Sequence, residues 1–539
     1  MKEKNKVYTI KITSVTPEGD GIGRTESGAV VFVPLACSGE TVEVKIIKET
    51  SNRLIGRIMN ITEPSPDRTD PGCAVYRQCG GCSLRHMSYE AEKKLKHAYV
   101  TDCLKRIGGF DLTPEFTVSA GCDGYRNKAQ YPLVKDGDRI RLGYYARHSH
   151  TVVPHTSCPL QPDCFGRIAQ DALGLFGDMT VYDEATGEGL LRHLFLRASR
   201  GGEVCVMPVI NGKPDKRFYD IAAELSKRNP EVTSFFVNIN RERSNLILGR
   251  ECVHISGKEY LTDTLCGREF RISPLSFWQV NTAAAEMLLY KARELAGIAP
   301  GSTVCDLYCG AGTVGLCVTD DTDKLFGIEI VPDAVENAKK NAAGRETGKT
   351  RFVCADSSEG IRMCRSTFGT PDVILTDPPR RGMSAKVIED IAGSGAQKLV
   401  YISCCPSTLA RDAALLARHG YRPEKAAVFD LFPRTSHVET VCLLSKLNAK
   451  QHIEINLDMD ELDLTDAEKK ATYQEIKDYV LEHSGLKVSS LYIAQVKQKC
   501  GIIERENYNK PKSEDAKQPQ CPPDKEKAIK EALQHFGMI

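Results

Sequence analysis

Residues 403–412 read SCCPSTLARD, two adjacent cysteines ahead of a proline. Neighbouring cysteines do not readily bond to each other in regular backbone, so a structural disulfide is a poor explanation. The run KLVYIS, 398–403, predicts a strand that ends at the cysteines. Pro406 suits the first position of a following helix. Cys405 is then the helix cap and Cys404 lies just ahead of it. The partial positive charge of a helix N-terminus favours a thiolate there, which makes Cys404 a candidate nucleophile.

A second group of residues predicts a ligand site. VCDLYCGAGTVGL, 304–316, places Gly310 and Gly312 in a tight turn between a strand and a helix that opens near Thr313. Acidic residues recur where successive strands end: Asp306, Glu329, Asp356 and Asp377. Glu329 is spaced to take ribose hydroxyls, and Asp356 stands at the level of an adenine ring. The glycine spacing departs from the dinucleotide fingerprint. A cofactor without phosphates fits better, and S-adenosylmethionine is the expectation. A thiolate beside a methyl donor suits one chemistry in particular. Carbon 5 of uracil is a poor nucleophile until a thiolate adds to carbon 6, after which a base must remove the carbon 5 proton.

Cys73, Cys79 and Cys82 form C-x5-C-G-G-C, with Cys158 far downstream. Four thiolates can hold zinc or an iron–sulfur cluster. Zinc sites usually come as two CxxC pairs, and one pair is missing. The tight triplet with a remote fourth cysteine points to a [4Fe–4S] cluster. GYRNKAQYP, 124–132, offers Arg126 and Lys128 to phosphates, with Tyr125 and Tyr131 as stacking partners for bases.

These groups must be positioned by several domains, since 539 residues exceed one. Residues 1–63 alternate short strand and turn signals, which predicts an OB-like barrel of five strands. Residues 64–272 read as an α+β central domain carrying the cysteines. Residues 273–447 repeat strand and helix, the rhythm of a mostly parallel, doubly wound α/β Rossmann-like sheet. Residues 448–539 form a helical extension. Helical patterns at 465–483 and 489–500 around Gly485 suggest a helix-turn-helix, with Lys487, Lys497 and Lys499 toward phosphate.

Three motifs in order, DPPRRG (377–382), YISCCPSTLARD (401–412) and FDLFPRTSHVE (429–439), resemble the RNA (uracil-5-)-methyltransferase family. The GDGIGR turn at 19–24 and the strands around it resemble a TRAM domain, an RNA-binding barrel. The resemblance spans residues 1–446. It implies a class I methyltransferase fold, Cys404 as nucleophile and Glu439 as base. FWQVN, 277–281, matches the family's cofactor motif, so Gln279, Tyr308, Gly310, Thr313, Glu329, Asp356 and Asp377 are the expected cofactor-binding residues. The DPPR arginine falls at Arg380, grouped with Arg126 and Lys128 as RNA-binding. The cysteine pattern resembles the 23S ribosomal RNA branch, which implies the cluster and ribosomal RNA as partner. Transfer RNA, or a non-catalytic RNA-binding relative, is the alternative. Two positions depart from the family: Cys405 stands where relatives carry Asn, and Arg434 where they carry Gln, His or Tyr.

Lysine plus arginine, 72, nearly equals aspartate plus glutamate, 71, so overall charge argues neither for nor against nucleic acid. The chain opens without an apolar signal region, and no run reaches the roughly 20 apolar residues of a membrane span. A cytoplasmic monomer with mostly reduced thiols is expected, despite 21 cysteines.

Overall fold

The computed structural model describes residues 3–50, 53–117, 121–446, 473–500, 521–536 and 538. They divide into two units, Met1–Asn448 and Ala449–Ile539.

The first unit opens with a barrel-like sheet running from Val7–Lys11 to Leu54–Glu63. The strand Thr41–Glu49 shows why it closes. Val42, Val44 and Ile46 alternate with polar residues and point into a core with Ile10, Ile12, Val31 and Val33. The sheet has six strands rather than the expected five, because the two-residue strand Ser14–Val15 adds to one edge. So short a pairing leaves no pattern in the sequence.

A seven-stranded sheet follows. Its strands Leu191–Ala198 and Val204–Ile210 are buried along their whole length. Helices Asp163–Phe176 and Lys216–Arg228 pack their apolar faces on it through Phe165, Ile168, Phe218 and Leu225.

The third sheet positions the chemistry. Five parallel strands run in the order Thr350–Cys354, Lys324–Glu329, Thr303–Leu307, Val373–Thr376 and Lys398–Ser403. The antiparallel hairpin Tyr421–Phe429 and Glu439–Lys446 continues it. Order reverses beside Thr303–Leu307, the switch point where open α/β sheets bind ligands. One strand comes from outside the expected 273–447 domain: Glu115–Thr117 pairs in parallel with Tyr421–Phe429. Helix Tyr89–Arg106 likewise packs Val100 and Leu104 into the same core as Leu409 and Ala413. The segment 64–272 is therefore divided among three sheets, since Leu261–Leu265 and Arg268–Ile272 form a two-stranded sheet of their own, and its share of the parallel sheet rests on contacts between residues hundreds of positions apart that no local pattern reports.

In the second unit, helices Tyr473–Ser484, Ser490–Lys499 and Pro523–His535 bury Ile476, Val480, Ile493, Val496, Ile529 and Leu533 together. The expected start at 465–472 and most of the polar stretch before the last helix lie outside the described residues. Lys497 is buried and so is not presented to phosphate as expected, whereas Lys487 and Lys499 are exposed, Lys499 pairing with Glu526 at 2.5 Å. Among the described residues, no helix is long and apolar enough to cross a membrane.

Candidate active site

Cys404 and Glu439 meet by strand register. Strand Lys398–Ser403 pairs antiparallel with Glu439–Lys446, and the last pair of the ladder is Ser403 with Thr440. One step further sets Cys404 opposite Glu439. Both line a cavity of about 940 Å3, together with Asp377, Arg380 and His437. Pro406 opens helix Pro406–Ala417 at its first turn and Cys405 is the cap residue, without a side-chain capping bond. The two thiols thus part company. Cys404 faces the cavity, whereas Cys405 is not among its lining and its Sγ lies 3.4 Å from Ser407 Oγ.

The charges at the cavity floor oppose one another. Burial, then the neighbouring Glu439 and Asp377, push the Cys404 thiol up to about 11, while Arg380 acts in the other direction. Burial also pushes Glu439 well above the usual carboxylate range, Asp377 adds to this, and Arg380 again opposes. Asp377 is pushed up to about 7 by burial alone. For Cys405, burial raises the thiol, but contacts with Ser407 and Thr408 outweigh it and hold it below its ordinary value.

A smaller cavity adjoins the first, with Phe277, Gln279 and Asp377 lining both. Tyr308, Gly310 and Thr313 form its far wall. The turn there is left-handed at Tyr308 and Gly310, with φ of 62° and 54°. A Cβ on Gly310 would meet nothing within 4 Å, so the glycine serves the backbone conformation and leaves open space beside it. Gly310 N–H donates to Glu329 Oε2 at 3.1 Å, and Val331 N–H to Oε1 at 2.9 Å. Glu329 thus stands at the rim. Asp356 lies outside both walls and caps helix Ser357–Phe368 by accepting from Ser358 N–H at 2.9 Å. A turn free of side-chain obstruction, flanked by carboxylates, fits a nucleoside-bearing methyl donor.

The chain between the hairpin strands, 430–438, is held by its carbonyls. Leu431 O accepts from Asn281 Nδ2, Phe432 O from Lys96 Nζ, Pro433 O from the Tyr125 hydroxyl, and Arg434 O from the amides of Ser83 and Leu84. Arg434, the departure from the family pattern, has φ of 71°. Its N–H donates to Glu92 Oε1 at 2.7 Å and its guanidinium to Met87 O at 3.1 Å, which secures a conformation a side chain rarely adopts.

Cys73, Cys79, Cys82 and Cys158 are all among the lining of the larger cavity. Burial and the other cysteines push Cys82 up to about 12 and Cys158 up to about 11. Gly80 is required by crowding, since a Cβ would lie 2.9 Å from Tyr145 O. Among the described residues, no group of three or more His, Cys, Asp or Glu is arranged to hold a metal ion.

Arg126 and exposed Arg380 line the larger cavity. Lys128 does not. It is half-buried opposite Arg197 in the strand ladder, and burial, Arg197 and Arg126 together lower its ammonium to about 8. The stacking role expected of Tyr131 is not available, since it is 2% exposed and bonded to Gln161; Tyr125 is half-buried and its hydroxyl donates to Pro433 O. The exposed aromatic at the site is instead Phe277, 71% accessible where the two cavities join. His437, with both ring nitrogens 3.5 Å from Arg380 Nη2, was also passed over. Both residues lie inside quoted motifs, which was the available signal.

Comparison with known proteins agrees with this geometry. The tRNA (uracil-5-)-methyltransferase family model matches residues 247–447, and the TRAM domain model matches residues 2–59. An uncharacterized RNA methyltransferase of Clostridium tetani is 36% identical over 83% of this chain and 98% of its own length. The chain belongs to the RNA (uracil-5-)-methyltransferase family. A second uncharacterized RNA methyltransferase, from Staphylococcus aureus, is 36% identical over 82% of this chain and 98% of its own. The crystal structure of Pyrococcus abyssi tRNA (uracil-54, C5)-methyltransferase in complex with S-adenosyl-L-homocysteine superposes with a TM-score of 0.65. It is 25% identical, over 81% of this chain and all of that one. The protein is thus an S-adenosylmethionine-dependent RNA methyltransferase with an N-terminal TRAM barrel.

Proposed function

We propose that this enzyme methylates carbon 5 of a uridine in 23S ribosomal RNA through a covalent Cys404 adduct, with Glu439 as base. The observation that carries the reading is the convergence of Cys404, Glu439, Asp377 and Arg380 on one cavity beside the Gly310 turn. S-adenosylmethionine, when bound, supplies a sulfonium methyl. Gln279, Tyr308, Gly310, Thr313 and Asp377 line the smaller cavity and would hold it there, with Glu329 at the rim and Asp356 further out. The target base must leave its stack to reach the cavity floor. The Cys404 thiolate adds to carbon 6, and Arg380 favours that ionised form. Carbon 5 then takes the methyl group. The Glu439 carboxylate accepts the carbon 5 proton, that electron pair restores the ring double bond, and the carbon–sulfur bond breaks to free Cys404. A carboxylate whose proton affinity is raised by burial is a stronger base than an exposed one.

Arg126, Lys128 and Arg380 are assigned to phosphate contacts. The four cysteines are assigned to a [4Fe–4S] cluster. What supports this reading is that the four thiols line one cavity and that four thiolates can hold such a cluster. The raised thiols of Cys79, Cys82 and Cys158 would need a positive centre to hold them ionised.

RNA transcribed with 5-fluorouridine cannot release the carbon 5 substituent and should trap the adduct. Formation of the same adduct by Cys404→Ala would remove Cys404 from this role. Anaerobically purified protein should carry about four irons per chain; zinc without iron would reject the cluster. The Pyrococcus abyssi relative is a tRNA (uracil-54, C5)-methyltransferase, so transfer RNA is the second reading. Mapping 5-methyluridine in ribosomal and transfer RNA from cells lacking the gene separates the two.

A further inference from the structure

Glu439 begins a strand, and the segment before it determines where its carboxyl points. That segment rests on a cluster of buried charges. Lys96 is 3% exposed, and its Nζ donates to Glu92 Oε1 at 2.8 Å, Asp430 Oδ1 at 2.8 Å and Phe432 O at 3.2 Å. Glu92 also accepts from Arg434 N–H, and its second oxygen lies 3.5 Å from the Arg434 guanidinium. Two carboxylates and two cations balance. The arrangement is a costly way to join a helix to a loop, because desolvating ions can cost more than their attraction returns. Glu92 Oε2, Asp430 Oδ2 and Arg434 Nε are buried without hydrogen bonds, so the cluster is not optimised for stability. What it supplies is direction: it fixes positions 430, 432 and 434 from the single helix Tyr89–Arg106.

We infer that Lys96 and Glu92 are positioning residues for the base, holding the 430–438 segment so that Glu439 reaches the carbon 5 proton. This rests on the proposed role of Glu439. Cys404 is carried by a different strand and helix, so loosening the cluster leaves addition and methyl transfer in place and slows proton removal. The intermediate between those steps then accumulates.

The test compares Lys96→Met and Glu92→Gln with Glu439→Gln, using 23S ribosomal RNA transcripts containing either uridine or 5-fluorouridine. With uridine RNA, each cluster variant should lose about 10²-fold in kcat, with KM unchanged. Each should also build up a covalent protein–RNA band on denaturing gels that the unsubstituted enzyme does not. With fluorouridine RNA the adduct should form to the unsubstituted extent, which reports a folded protein with an active Cys404. Loss of the fluorouridine adduct in both cluster variants would make the cluster a folding element and overturn the inference, as would unchanged turnover. If Glu439→Gln accumulates adduct on uridine RNA and the cluster variants do not, the inference alone falls. If Glu439→Gln does not, the assignment of the base falls and takes the inference with it.

Discussion

Two adjacent thiols have opposite surroundings in this protein. Cys404 faces carboxylates and is pushed up to about 11, whereas Cys405 is held below its ordinary value by Ser407 and Thr408. In the free enzyme the acidic thiol is therefore the one outside the cavity. Alkylation of Cys404 by iodoacetamide should accelerate about tenfold per pH unit between pH 8 and 10, since its thiolate fraction rises until the pKa is reached. Peptide mass mapping should show Cys405 labelled ahead of Cys404 at neutral pH. Cys405→Asn restores the residue of the family pattern and a strong cap. It should raise stability by about 0.5–1 kcal/mol in urea titrations, with turnover unchanged, because Cys405 touches Ser407 rather than the cavity.

At the scale of elements, the DPPR turn is tied to helix Pro406–Ala417 through one buried carboxylate. Asp412 Oδ2 accepts from the Tyr401 hydroxyl and from Met383 N–H, both at 2.8 Å, and it is fully buried. Asp412→Ala leaves both donors without partners, at a cost of about 2–4 kcal/mol in thermal or urea unfolding. Turnover should fall as well, because Asp377 and Arg380 are carried by the turn that Asp412 secures. Asp412→Asn, whose amide oxygen can take the place of Oδ2 and accept both bonds, should lose less on both measures. The strand-and-helix rhythm that builds this region was legible from apolar runs and turn residues. The contributions of helix Tyr89–Arg106 and strand Glu115–Thr117 were not, because pairing between distant segments depends on edges that only the folded sheet presents.

At the scale of the molecule, the relatives are matched over 98% of their length by 82–83% of this chain. The helical unit Ala449–Ile539 has its own core. A chain ending at Asn448 should therefore keep 5-methyluridine formation within about twofold, measured by nucleoside mass spectrometry; loss of activity would give the extension a role in catalysis. RNA binding should depend on salt through Arg126 and Arg380, which line the cavity, and through the half-buried Lys128. Lys128→Ala should weaken binding similarly across RNA sequences and reduce the salt slope by about one. Burial holds Lys128 near pKa 8. Its charge is present below that pH and lost above it, so the difference between Lys128→Ala and the unsubstituted enzyme should shrink as pH rises from 7 to 9.

By itself, the sequence offered the candidate groups: a cysteine ahead of a helix-opening proline and acids at the ends of parallel strands, with Glu439 picked out as base only by the resemblance of its motif to a family. These are local properties, set by residue type and by spacings that follow from strand and helix periods. The tertiary structure decided which groups face one another. It set Cys404 opposite Glu439 by register, turned Cys405 away, and buried Tyr131 where an exposed stacking surface had been expected. It also placed Lys96 beneath a loop more than 330 positions away. Those outcomes depend on desolvation and on charges brought close only by folding, and no spacing along the chain encodes either.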